Sequence, residues 1–343
     1  MYGIKKSKVF VISLFLIVAG MMFMMTSPAS VQAQETFNLT YSGFFAPHDQ
    51  NEVIAIWYCE ELQKRTNDRV KIKMYFSEQL GKIFDGPKML RAGVADIAQF
   101  TNATPEFAVL GLTEAPYVVP NPSSVTTSVK AFWTLYDNGL LKELDDFQPL
   151  WWQVMEPRNM IFAKKKVTKL EELKGMKMRG LPGMQCALLD AFGSTSVALP
   201  SSEVYTALDR GTIEGLITVP AFGIGGKLFE ISKYWLWEDL ADGGNIMSMT
   251  KKLYNSFPSD IQKIIQQLNG EAQARYAERV KTKMVENKAE LQKRGYEVYY
   301  LSPEEHEKWK QVAKQVTDKA VADLEARGYP ARRAVDALKN IKE

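Results

Sequence analysis

The stretch from Thr168 to Pro220 constrains the fold most, because its hydrophobic period switches repeatedly and each switch is marked by glycine or proline. Thr168 with Glu171 forms a capping box, which predicts a short helix stopped by Gly175. Lys177, Met178 and Arg179 fit a short strand, and Gly180, Pro182 and Gly183 a turn. Met184 to Phe192 reads as a helix ended by Gly193, and Val197 to Leu199 as another strand. Pro200, Ser201 and Ser202 open a third helix with Val204, Ala207 and Leu208 on one side; Gly211 ends it, and Ile213 to Thr218 is a strand. Helices and strands alternating through tight connections predict an α/β architecture with a parallel sheet. Ligands of such sheets sit at the carboxyl ends of strands. Arg179 closes one strand beside a Gly/Pro turn and Thr218 closes another, so both are candidates for a binding site.

The same alternation runs through the first half of the chain. Phe37, Leu39 and Tyr41 mark a strand, the loop SGFFAPHD follows from Ser42 to Asp49, and a helix carrying Ala55, Tyr58, Cys59 and Leu62 runs through Arg65. Val70, Ile72, Met74 and Phe76 form a second strand, a helix continues through Leu90 and Arg91, and Ile97 to Phe100 is a third strand. Val125 to Leu141 reads as a helix, and Leu150 to Ala163 is apolar and strand-like. From Ser259, which caps a helix, only Gly270 interrupts helical composition before Arg294. Unbroken, that helix is roughly 50 Å long at ~1.5 Å per residue. Tyr296, Val298 and Tyr300 alternate in a late strand, Ser302 to Arg327 is a charged amphipathic helix, and the tail to Glu343 is helical in part. A chain of 343 residues, 46% of them hydrophobic, predicts two domains, each with its own core.

Charge and motifs exclude several function classes. The formal charge of +3 comes entirely from Lys5, Lys6 and Lys8; beyond Ala33 the chain holds 40 basic residues against 40 acidic ones. That balance leaves no basic excess for nucleic acid. The three lysines, the apolar run from Val9 to Met25 and the small residues Val31-Gln32-Ala33 compose a secretory signal peptide with cleavage expected after Ala33. Cys59 and Cys186 read as two buried free thiols on helices of different domains. His48 and His306 are far apart in sequence, with no Cys or His at metal-ligand spacing, so neither a metal site nor a catalytic constellation is expected. His306 is expected to be solvated, and the Gly223–Gly226 run reads as a tight helix start.

LKGMKMR, followed by FGSTSVALPSSEVYTALDRGTIEG, resembles the periplasmic solute-binding proteins of tripartite ATP-independent (TRAP) transporters. RTNDRVKIKMYFSEQLG and RAGVADIA resemble that family's first domain. The resemblance implies a two-domain α/β periplasmic-binding-protein fold with hinge strands and a long helix spanning both domains. Its expected organisation is a signal peptide over 1–33, domain I over 34–155, domain II over 156–246, a return to domain I with the long helix over 247–282, and a domain II strand with C-terminal helices over 283–343.

By the same resemblance, Arg179 matches the family's carboxylate-binding arginine, and a guanidinium offers the planar donor pair that a carboxylate accepts. Thr218 stands where the family has an asparagine; its hydroxyl keeps one hydrogen bond and loses the amide's second contact. Lys165 stands where some relatives carry a second ligand-binding arginine, but it lies in the run Lys164–Lys166, and Arg158 is the alternative. Phe45, His48 and Asp49 in the first strand–helix loop, Thr101 and Asn102 after the third strand, Trp152 near the domain crossover and Phe222 after Thr218 complete the expected ligand-binding set. The implied function is capture of a small organic carboxylate in the periplasm by a monomer that closes and delivers its cargo to integral membrane permease subunits, with no cofactor. Two rivals remain. A periplasmic enzyme acting on a carboxylate needs a base near Arg179, for which only His48 or Asp49 is on offer. A sensor's ligand-binding component would signal through a partner. The long helix speaks against the ATP-driven class of solute-binding proteins.

Overall fold

The computed structural model describes residues 35–102 and 104–342, apart from the side chains of Gln50, Asn51 and Pro105. By its contacts the chain divides into Met1–Phe37 and Asn38–Glu343. The expected signal peptide lies outside the described residues. Everything below concerns the larger unit.

Two sheets organise it. The first has the strand order β2-β1-β3-β10-β4, with β1 (Phe37–Ser42), β2 (Val70–Tyr75), β3 (Ile97–Thr101), β4 (Phe147–Val154) and β10 (Gly244–Thr250). β1 and β3 are parallel, and β10 inserts antiparallel between β3 and β4. The second has the order β11-β9-β5-β8-β6-β7, with β5 (Asn159–Phe162), β6 (Lys177–Gly180), β7 (Thr195–Ala198), β8 (Gly215–Thr218), β9 (Tyr234–Leu236) and β11 (Glu297–Tyr299). β6 pairs in parallel with both β7 and β8, as the alternation around Arg179 predicts.

Both faces of the second sheet are covered. Along β5, Met160 and Phe162 enter one apolar cluster and Ile161 the other, the period-two alternation of a strand buried on both sides. The fully buried Trp309 anchors the first cluster and Trp235 the second.

The chain crosses between the sheets at three places. β4 passes to β5 through Met155–Arg158, and β9 returns to β10 through Trp237–Gly243. These connections run side by side: Met155 N–H donates to Gly243 O (2.9 Å), Arg158 N–H to Ala241 O (3.0 Å), and Leu240 N–H to Arg158 O (2.8 Å). The third crossing is the long helix.

Ten α-helices lie among the described residues: α1 (Gln50–Arg65), α2 (Gly86–Ala92), α3 (Val125–Asp137), α4 (Met184–Ala191), α5 (Val204–Asp209), α6 (Pro220–Gly225), α7 (Lys251–Ser256), α8 (Ser259–Lys293), α9 (Pro303–Ala326) and α10 (Ala331–Lys339). α8 is one unbroken helix of 35 residues. Its first half packs on α1 and β4, where Gln273 clamps both the N–H and the carbonyl of Trp152 at 2.9 Å. Its second half packs on α6 and β11, with Leu291 in the second sheet's core. A single rigid element thus belongs to both lobes.

Several local readings differ from the structure. The helix expected at Thr168 is one 3-10 turn, Leu170–Leu173, so Glu172 rather than Glu171 accepts the N–H groups of Thr168 (2.8 Å) and Lys169 (3.1 Å). The apolar run Leu150–Ala163 is two strands in two sheets, broken at Pro157. The Gly223–Gly226 run ends α6 rather than starting a helix; a Cβ on Gly223 would sit 2.5 Å from the Trp235 ring, so only glycine permits that approach. His306 is half-exposed rather than solvated: Nδ1 lies 2.5 Å from the buried Glu238, which also accepts from the Tyr117 hydroxyl. The last helix, α10, packs on both α9 and α3. Both cysteines are free thiols, but only Cys59 on α1 is buried; Cys186 on α4 is partly exposed.

Candidate functional site

Arg179 sits at the end of β6 and is 4% exposed. Its Nε and Nη2 donate to the carbonyl of Leu199, at 3.1 and 3.0 Å. Among the described residues no carboxylate lies within ion-pair distance of it. Burial, and then the neighbouring Arg158 guanidinium, lower its pKa to about 10, so the group is charged at neutral pH but uncompensated. A buried charge without a counter-ion is costly, and such groups concentrate where a ligand supplies the partner.

Beyond Arg179 the chain turns through Pro182 and Gly183 into α4, whose Gln185 receives the Leu181 N–H on Oε1 (3.0 Å). Gln185 Nε2 reaches across to Glu114 Oε2 at 3.3 Å. Glu114 ends a 3-10 helix, Leu110–Glu114, packed with the first sheet's elements, and its other oxygen accepts from Arg158 Nη2 at 2.8 Å. This ion pair is nearly solvent-free, its side chains 8% and 5% exposed. Gly243 lies against it: a Cβ there would be 2.7 Å from Glu114 Oε1 and 2.9 Å from Arg158 Nη2. Asp242, one residue earlier, accepts from Ser128 Oγ (2.6 and 2.7 Å) and from the Gly243 N–H (2.8 Å). Burial pushes its carboxyl up to about 7.

Beside Glu114 and the Pro182–Gly183 turn lies a cavity of about 390 Å³, within the range of small-molecule sites. Asn102, Thr104, Phe107 and Glu114 line one side, Gly183 and Met184 the other, and the end of α9 closes it. Asn102 Oδ1, Thr104 Oγ1, both amide atoms of Gln153 and Arg158 Nε are buried without a hydrogen-bond partner. Register places Gln153 of β4 and Thr101 of β3 on either side of Asn245, so several of these unpaired polar atoms gather at one edge of the first sheet. Buried polar groups are ordinarily paired, and a cluster of orphans beside a cavity marks a place for polar ligand atoms or water. A second concavity of about 500 Å³ is formed by α1 and β2 alone and contains none of the predicted site residues.

The structure brings together only part of the predicted set. Arg179, Arg158 and Asn102 belong to the region just described. Thr218 is buried on β8, across from Asn159 and one strand from Arg179. Thr101 is half-buried at the end of β3. Phe45, half-buried, lines a smaller cavity of about 40 Å³ with Glu156 and Asn245, and its N–H is held by Glu52 Oε1 at 3.0 Å. Asp49 is half-buried at the start of α1, and His48 is exposed beside it. Two aromatics pack with the cores. Trp152 is fully buried and stacks on Phe132 with ring centroids 4.9 Å apart, because its strand position points it at α3. Phe222 packs half-buried against the second sheet's core. Lys165 pairs with Glu172 on the surface.

Sequence reasoning missed Glu114, Gln185 and Asp242. One signal was available: Glu114 is the only charged residue in the apolar run from Val109 to Pro120. Among the described residues no group of His, Cys, Asp and Glu could hold a metal ion, and no helix is long and apolar enough to cross a membrane.

The description "Bacterial extracellular solute-binding protein, family 7" matches residues 46–323. The outer membrane transporter protein TsaT of Comamonas testosteroni is 24% identical over 322 residues, 90% of this chain and 92% of that protein. A TRAP solute-binding protein from Rhodoferax ferrireducens T118, solved with copurified benzoate, is similar in structure with a TM-score of 0.78 at 22% identity, covering 89% of this chain and 97% of that one. A TRAP periplasmic solute-binding protein from Sulfitobacter sp. NAS-14.1, solved with bound β-D-galacturonate, superposes at 0.78 and 16% identity over 88% of this chain and 100% of that one.

Proposed function

The chain belongs to the bacterial extracellular solute-binding proteins of family 7, and from that premise we propose that it captures a small organic carboxylate between its two lobes and hands it to a TRAP-type membrane permease. The observation that carries this reading is the buried Arg179 guanidinium, which has a carbonyl partner but no carboxylate. A ligand carboxylate there supplies the missing counter-ion, and exclusion of water strengthens the pair. Arg179 belongs to the second lobe and Asn102 to the first, so one ligand touching both favours the closed arrangement. The connections Met155–Arg158 and Trp237–Gly243 are the natural hinges. Glu156 anchors them, accepting from the Ala221 N–H at 2.7 Å and from Asn287 of α8 at 3.0 Å.

The leading residues 1–33 act in this reading as a cleaved signal peptide that delivers the protein to the periplasm, where it works as a monomer without a cofactor. Both solved structures described above hold an acid with one carboxylate, which supports that ligand class here. An enzyme acting on the same acid needs a general base beside the anion site. Of the two candidate bases, His48 stands exposed on the first loop and Asp49 half-buried beside it.

A thermal-shift screen over aromatic, sugar, keto and aliphatic acids tests the proposal. An acid at 100 times its Kd adds about 2.7 kcal/mol of stability. A panel in which neutral sugars or amines stabilise the protein and no acid does would reject it.

A further inference from the structure

We infer that Glu114 sets the number of carboxylates a ligand can bring: it neutralises one of two neighbouring buried guanidiniums from within the protein, matching the cleft to monocarboxylates and against diacids. The inference rests on the carboxylate reading above. It comes from a local count of charge. Arg158 and Arg179 are 6% and 4% exposed and close enough for the first to depress the second's proton affinity. Two buried guanidiniums in an otherwise empty cleft would suit a diacid. Glu114 alters that balance, because its Oε1 already holds Arg158 Nη2 at 2.8 Å.

The other acid nearby does not take this role. Both oxygens of Asp242 accept from Ser128 Oγ, and one also accepts the Gly243 N–H. One buried cation therefore remains uncompensated, at Arg179.

Glu114 is also hard to displace. Its second oxygen accepts from Gln185 Nε2, and the backbone at Gly243 leaves the pair no room to part on that side. A second ligand carboxylate must either expel Glu114, which strands a buried carboxylate with one amide partner, or take the unpaired Arg158 Nε beside it. With Glu114 in place, the same carboxylate meets a like charge in a site that excludes water. Glu114 is itself among the residues that line the 390 Å³ cavity.

Titration calorimetry on the purified protein tests this with three pairs: benzoate and isophthalate, galacturonate and galactarate, butanoate and succinate. The monoacid of any pair that binds is expected at least 10-fold tighter than its diacid. Glu114→Gln, which keeps the shape and removes the charge, should narrow that ratio at least 10-fold, and Glu114→Asp should preserve its direction. Should the Gln variant fold poorly, the wild-type ratio and the Asp variant still decide. A diacid bound as tightly as its monoacid by the wild-type protein, or a ratio unmoved by Glu114→Gln, overturns the role of Glu114 alone. No binding by any of the six acids counts against the carboxylate site itself and takes this inference with it.

Discussion

Arg179→Met should separate the stability of the unliganded protein from its ability to bind. Methionine keeps an unbranched stem of similar length in the same buried slot and deletes the charge. The depression of the Arg179 pKa to about 10 by burial and by Arg158 corresponds to a cost of about 3 kcal/mol for holding the charged form in the unliganded site. Against that relief stands the loss of the two donors to Leu199 O, at 3.1 and 3.0 Å. Hydrogen bonds from a charged donor contribute about 1.5–3 kcal/mol. Two such bonds equal or outweigh the relief, so urea denaturation without ligand should place the variant between equal to wild type and about 3 kcal/mol less stable. Binding should behave differently. Truncating one partner of a buried, hydrogen-bonded charge pair costs about 2–5 kcal/mol, so the Kd for the best acid should rise by roughly 30-fold to several thousand-fold. Loss of more than about 3 kcal/mol of unliganded stability together with an unchanged acid affinity would refute the reasoning and make Arg179 a structural tie to Leu199.

Two further predictions concern the frame. Burial raises the Asp242 carboxyl from its ordinary range to about 7, so the folded protein binds its proton more tightly than the unfolded chain does. Its contribution is therefore fullest below about pH 4 and declines as pH rises toward 7. Asp242→Asn should gain on the order of 4 kcal/mol relative to wild type across that window, read by denaturation at several pH values; a difference that does not change with pH would contradict it. Gly270 lies exposed in the middle of α8, and a Cβ there meets nothing within 4 Å. Gly270→Ala should stabilise the protein by about 1 kcal/mol in chemical denaturation, and a loss of stability would mean the helix needs flexibility at that point.

Much of the frame was legible because it is written in local periodicity. The alternation from Lys177 to Thr218 became β6, α4, β7, α5 and β8, and the composition from Ser259 to Arg294 became α8. Arg179 stood out because a charged residue at a strand end beside Gly and Pro is locally visible. The less legible parts depend on contacts distant in sequence. Glu114 meets Arg158 across a separation of 44 residues and Asp242 meets Ser128 across 114, and no local pattern encodes either. Trp152 shows the complementary limit. A tryptophan near a crossover has the same sequence signature in a cleft or in a core, and the position of α3 decides which. The break inside Leu150–Ala163 was hidden by uniformly apolar composition, with Pro157 its one marker.

In the proposed function, a negative charge on the ligand is what the cleft recognises through Arg179. Its most direct test is a calorimetric comparison of the best-binding acid with its own primary amide, which keeps size and shape and removes the charge. The amide is expected to bind at least 100-fold more weakly, a difference of about 2.7 kcal/mol. Equal affinity for acid and amide would contradict it.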